Sequence, residues 1–185
     1  MAVDPLIELR DVNKYYGKSS VLRDGGLTVG RGELVVVVGP SGAGEPTPCG
    51  VINGLEGIGP GTVAPDGRPL PEEDRELARL RAEVGTVSRS FSLFVHKTAP
   101  QDLPSARTGG RGRRAGDGGR CSRQLAHDGT TLAVAIHGRG LARPAGGRVV
   151  FRADGRIVED RTSGQFRTAP RGDRAEGFRS GIIER

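Results

Sequence analysis

Residues 39–47 read GPSGAGEPT and follow directly on the apolar run Leu34–Val38. A buried strand that ends in a Gly-rich turn and opens a helix is a cradle for an anion. Its glycines let successive backbone N–H groups converge on one point, and the helix N-terminus adds partial positive charge. The full phosphate-loop pattern is G-x-x-x-x-G-K-[ST]. Gly39 and Gly44 hold its glycine positions, Ser41, Gly42 and Ala43 lie between them, and Thr47 follows. The lysine position holds Glu45 and the hydroxyl position holds Pro46. A carboxylate there repels what a lysine would attract, and one unit-charge contact is about 4 kcal/mol at 4 Å in an effective dielectric of 20. Pro46 removes both a hydroxyl and a backbone N–H. On this pattern alone, a glycine-rich turn closing a strand explains the stretch as well as a phosphate site does. The two cysteines, Cys49 and Cys121, make neither a metal spacing nor a disulfide framework, so a reduced chain is expected. No metal ligand set is predicted.

The elements that would position this loop are partly legible. Residues 6–12 (LIELRDV) alternate as a half-buried strand does. Residues 13–18 read as a turn, Leu27 and Val29 as part of a short second strand, and Arg31-Gly32 as the close of a hairpin. The run ending at Val38 predicts a buried central strand, and a weak helical stretch to about Asn53 follows the loop. Residues 62–70 read as a strand end with an Asp66-Gly67 turn. Residues 71–83, acidic at the start and basic at the end, predict a helix, and residues 84–88 a strand. Thr131–His137 (TLAVAIH) reads as a buried strand. Residues 148–159 read as a hairpin turning at Asp154-Gly155. The polar end of the chain, with isolated Phe166 and Phe178, predicts a poorly packed terminal helix.

Between these parts the texture changes. Residues 99–124 are Gly, Arg, Ala, Pro, Ser and Asp almost throughout, and one Leu is the only large apolar side chain. Such a segment has little to bury against its ordering entropy and predicts a disordered linker. Net charge divides at the same place: residues 1–98 sum to −2 and residues 99–185 to +8, with every base of the second part an Arg. A solvated basic face or an anion surface would both explain that division. Arg107, Arg111, Arg113, Arg114, Arg120 and Arg123 could contact the phosphates of a nucleic acid. No aromatics are interleaved to stack bases, so nucleic acid is not the expected partner. Leu34–Val38 is the longest apolar run and is far too short to span a bilayer, so any membrane association is expected to be peripheral.

The flanks of the loop carry a more specific signal than the loop. IELRDVNKYYG, VLRDGGLTV, GELVVVVGPSGAGEPT and VINGLE, within residues 7–56, resemble the opening of the ATP-binding subunits of ABC importers for polar amino acids. LRAEVGTVSRSFSLFVHKT (80–98) is similar to the segment holding that family's loop glutamine. LAHDGTTLAVAIH (125–137), RVVFRADGRIVE (148–159) and FRTAPRGDRAEGF (166–178) resemble its switch-histidine strand, the following hairpin and the closing helix. The resemblance implies ATP as ligand, with Tyr16 stacking on adenine, Gly39, Ser41, Gly42, Ala43, Gly44 and Thr47 around the phosphates, and His137 at the γ-phosphate. It implies permease subunits as partners and a place on the inner face of the cell membrane.

The departures from the family bear on chemistry. Besides Glu45 and Pro46, Arg89 stands where the family carries its Mg²⁺-coordinating glutamine. The interval from Arg89 to His137 holds neither the LSGGQ signature nor an apolar strand ending in Asp-Glu. Without that pair no carboxylate holds Mg²⁺ or positions a water, and without the signature a sandwich homodimer is not expected. The sequence therefore predicts an α/β fold: a truncated P-loop NTPase domain of the ABC ATPase kind with an N-terminal antiparallel β part. It divides into residues 1–98, a disordered Arg/Gly-rich linker over 99–124, and a C-terminal part over 125–185. The expected role is an ATP-binding subunit impaired in catalysis, with a weakened case for Mg²⁺; the alternative is a non-enzymatic remnant, or anion or nucleic-acid binding through the Arg-rich segment.

Overall fold

A computed structural model describes residues 5–40, 46–87, 91–96, 131–137 and 147–183. The expected linker, Arg89 and residues 41–45 lie outside the described residues. The chain opens with two twelve-residue strands, β1 (Pro5–Tyr16) and β2 (Ser19–Gly30), paired antiparallel. β3 (Leu34–Gly39) leads to α1 (Pro46–Ile52), and β4 (Thr62–Pro65) returns to pair with β1. α2 (Asp74–Glu83) precedes β5 (Val84–Val87) and β6 (Phe91–His96). β7 (Thr131–His137), β8 (Arg148–Ala153) and β9 (Arg156–Thr162) follow, and α3 (Ser163–Thr168) and α4 (Asp173–Ile183) close the described chain.

Two sheets result: a three-stranded one ordered β2-β1-β4 and a six-stranded one ordered β5-β6-β7-β3-β8-β9. All six residues of β3 are buried. A strand apolar on both faces needs covering on both, and β3 has parallel neighbours on each side, β7 and β8. The core between the sheets is built from Leu6, Ile7, Leu9, Val12, Leu27 and Val29 of one sheet and Val35, Val37, Ala133 and Val150 of the other.

Four sequence expectations need correcting. The turn expected over residues 13–18 is only Gly17-Lys18, because the strand runs on to Tyr16. Irregularities in the β1–β2 register, with Asp11 and Asp24 at φ 51° and 47°, let a long twisted pair continue past the first alternating run. Arg31-Gly32 does not close a hairpin. It passes the chain from one sheet to the other, since β2 pairs with β1 while β3 lies in the second sheet. The Gly32 N–H donates to Thr131 Oγ1 at 2.8 Å, which fixes the turn to the start of β7. β6 was not expected as a strand, although FSLFVH is a short apolar run of the right length. The fourth correction concerns the end of the chain. It forms two helices, and α3 is well packed: Phe166 is 1% exposed, with its ring 5.9 Å from that of Phe151. Thr162 and Gln165 form a reciprocal capping box at its start. The Asp154-Gly155 turn and the Asp66-Gly67 turn are as expected, each with both residues at positive φ.

Candidate functional site

The parallel strands β3 and β7 end side by side, with Gly39 in register with His137. Two residues nearly a hundred positions apart are thus brought to one sheet edge, at the carboxyl ends of parallel strands. That is where open α/β sheets bind ligands. Pro40 is exposed just beyond Gly39, and α1 starts at Pro46, so the connector carrying the glycines leaves from this edge. Ser41, Gly42, Ala43, Gly44 and Glu45 lie outside the described residues. For His137 the structure describes the backbone only.

α1 is built to be held in place but poorly built to donate. Thr47, Cys49, Val51 and Ile52 are buried, which seats the helix against the sheet. It is only seven residues long and stops before Gly54, whose φ of 66° suits a helix end. Its first three residues are Pro46, Thr47 and Pro48. Two of the three carry no amide hydrogen, so Thr47 alone can offer one there. Phosphate oxygens placed against this turn would meet one donor where an ordinary helix start offers three.

Tyr16 ends β1 with about half its surface exposed. Lys14 lies two residues back on the same strand face, and its Nζ sits 4.8 Å from the centroid of the Tyr16 ring. The same ammonium donates to the Gly57 carbonyl at 2.6 Å and lies 3.1 Å from a Glu56 carboxylate oxygen. Hydrogen bonds from Lys14, and secondarily from the Tyr16 hydroxyl, hold the Glu56 carboxyl below its ordinary pKa of 4.5. The Glu56 N–H donates in turn to the Gly50 carbonyl of α1 at 3.0 Å. The candidate base platform and the helix of the phosphate loop are therefore linked through one short loop. Lys14 and Glu56 were not singled out from the sequence. The Lys14-x-Tyr16 spacing was a readable signal, whereas Glu56 reaches the pair only through the fold.

Next to β7, on the side away from β3, lies β6, which runs antiparallel and brings its first residue, Phe91, opposite Ile136. Its sequence, FSLFVH, contains no Asp or Glu. Among the described residues, no group of three or more His, Cys, Asp or Glu could hold a metal ion. The described residues around this edge therefore bring together an exposed ring and few helix-start amides, with no carboxylate on β6 or β7.

Residues 22–142 match the ABC transporter family. The chain is 32% identical over 240 aligned residues to the glutamate transport ATP-binding protein GluA of Corynebacterium glutamicum, covering 96% of this chain and 99% of that one. It is 28% identical to the glutamate/aspartate import ATP-binding protein GltL of Escherichia coli K12, at 96% and 100% coverage. Its fold is similar to the dimeric structure of MJ0796, a bacterial ABC transporter cassette, with a TM-score of 0.63 and 20% identity over 91% of this chain and all of that one. The chain belongs to the ABC transporter family, and its fold is the α/β P-loop NTPase fold of that family's cassettes. Its similarity is to the ATP-binding subunits of amino-acid importers. With 185 residues against an alignment of 240, it is internally shorter than those relatives. Among the described residues no helix is long and apolar enough to cross a membrane.

Proposed function

We propose that this chain is an ATP-binding subunit of an amino-acid ABC importer whose capacity to bind and hydrolyse Mg-ATP is impaired. The observation that carries the reading is the edge of the six-stranded sheet. Gly39 and His137 lie together there, as phosphate loop and switch histidine would, yet the strand beyond β7 is antiparallel and bears no carboxylate. In this reading Tyr16 takes the adenine, Gly39, Ser41, Gly42, Ala43, Gly44 and Thr47 surround the phosphates, and His137 faces the γ-phosphate. Bound ATP would supply the phosphoryl group whose cleavage drives transport. The residues at hand serve binding better than cleavage, because no acidic residue on β6 or β7 can orient a water.

The transported substrate would be a polar amino acid, since the similar proteins carry names for glutamate and glutamate/aspartate transport. The partners would be permease subunits, with the chain docked peripherally on the inner face of the membrane. Self-pairing into a nucleotide sandwich is not expected without a signature motif. ATP turnover measured for the chain as it stands, and for Glu45→Lys combined with Pro46→Ser, tests the proposal. Background turnover is expected from both, because the double change restores phosphate contacts and not the carboxylates. Sustained turnover by the unaltered chain would overturn it.

A further inference from the structure

Lys14 is held more firmly than a surface lysine needs to be. A long ammonium side chain ordinarily keeps its head in water and its rotamers free. The Lys14 side chain is only 13% exposed, and its ammonium meets a carbonyl, a carboxylate and an aromatic face at once. All three partners lie at one place, the junction between the tip of β1 and the loop after α1. The loop is fastened there by backbone bonds as well: the Gly59 N–H donates to the Asn13 carbonyl at 2.8 Å, and the Asn13 N–H to the Pro60 carbonyl at 2.9 Å.

We propose that Lys14 is the positioning residue of Tyr16. Its ammonium holds the ring by one face and, through Glu56 and Gly57, fastens the strand tip to the loop after α1, leaving the other face for a planar base. The ligand half of this inference rests on the reading of Tyr16 as an adenine platform. The geometric half stands on the contacts alone. A cation over one face of a ring attracts its quadrupole. Glu56 contributes from the same loop, with a carboxylate oxygen 3.1 Å from the Lys14 ammonium. Lys14 therefore acts on a ligand through Tyr16.

The composition of the chain supplies the assay. It has two tyrosines, Tyr15 and Tyr16, and no Trp, so its ultraviolet emission reports on this strand tip alone. Tyr15→Phe makes Tyr16 the single reporter. In that background, Lys14→Met should raise the acrylamide quenching constant of Tyr16 about two-fold while far-UV circular dichroism stays unchanged, and Lys14→Arg should retain the parent value because the guanidinium keeps both charge and donors. Should Lys14→Met unfold the chain, Glu56→Gln is the second variant, and it should raise quenching in the same direction. Equal quenching in the parent and in every folded variant would overturn the inference.

Adenosine tests the ligand half, because it carries no phosphate to meet Glu45. It should quench Tyr16 saturably in the parent, and Lys14→Met should weaken that binding about two- to five-fold. Identical adenosine affinities in parent and variant, or no response in the parent, would overturn this half. Neither result depends on whether Mg-ATP binds, so failure here is distinguishable from failure of the proposed function.

Discussion

Phe166→Ala is the sharpest test of how the chain end is packed. Phe166 is buried to 1% exposure and sits against Phe151, which lies on β8 beside the phosphate-loop strand. Phe178 of α4 covers Phe151 from a second position, with ring centroids 5.2 Å apart. Removing a buried phenyl ring costs about 3–5 kcal/mol, of which the aromatic pairing accounts for about 0.5–1.5 kcal/mol. The low end applies here. α3 is a six-residue helix with an irregular cap at Ala169, so it can settle partly into the space left behind. A loss of about 3 kcal/mol corresponds to a fall in Tm of roughly 6–12 °C for a domain of this size. Thermal unfolding followed by far-UV circular dichroism, with a urea titration for the free energy, measures both. Phe166→Leu should cost much less, under about 1.5 kcal/mol, because most of the volume is kept. A shift under about 1 kcal/mol for Phe166→Ala would refute the packed end and favour the loose helix that the sequence suggested.

Two further predictions concern the elements around the site. Gly61 has φ 118°, and a Cβ added there would lie 2.5 Å from the Asp11 carbonyl oxygen and 2.6 Å from the Val12 Cα. Gly61→Ala should therefore destabilise the chain by about 1–3 kcal/mol in a urea titration, since both the backbone conformation and its rigid neighbours oppose it. The Glu56 carboxyl titrates below 4.5 in the folded chain. Its contribution to stability is therefore present above that value and is lost as pH falls through the lower folded pKa. Comparing Tm across the acid range for the chain and for Glu56→Gln should show a gap at neutral pH that closes in acid.

Much of this arrangement was legible in the sequence, and where it was not the reasons are physical. β3 could be read because a short, valine-rich apolar run ending in glycine suits a strand covered on both faces better than a helix. The β8–β9 hairpin could be read because Asp154-Gly155 demands two positive φ angles between alternating runs. The length of β1 and β2 could not, because the strands continue through register irregularities where alternation fails. Nor could the turn at Arg31-Gly32 be told from a hairpin, since a local turn does not reveal which sheet receives the next strand. α3 was missed although Thr162-x-x-Gln165 is a capping box in plain sight, because its buried Phe166 looks isolated until β8 brings Phe151 beneath it. At the site, the family resemblance set Gly39 and His137 around one ligand, but that their strands pair in register had no signal in the sequence. The Lys14–Glu56 contact joins residues 42 positions apart and had no local signal.

On the proposed function, the chain keeps the family's scaffold and holds Mg-ATP only weakly. Isothermal titration of the unaltered chain with Mg-ATP, beside the Glu45→Lys, Pro46→Ser double variant, tests it most directly. Reversing one charge contact changes binding by several kcal/mol before screening, or about two to three orders of magnitude after it. The account predicts no saturable binding by the unaltered chain at micromolar Mg-ATP and a measurable gain in the double variant. Micromolar binding by the unaltered chain would contradict it.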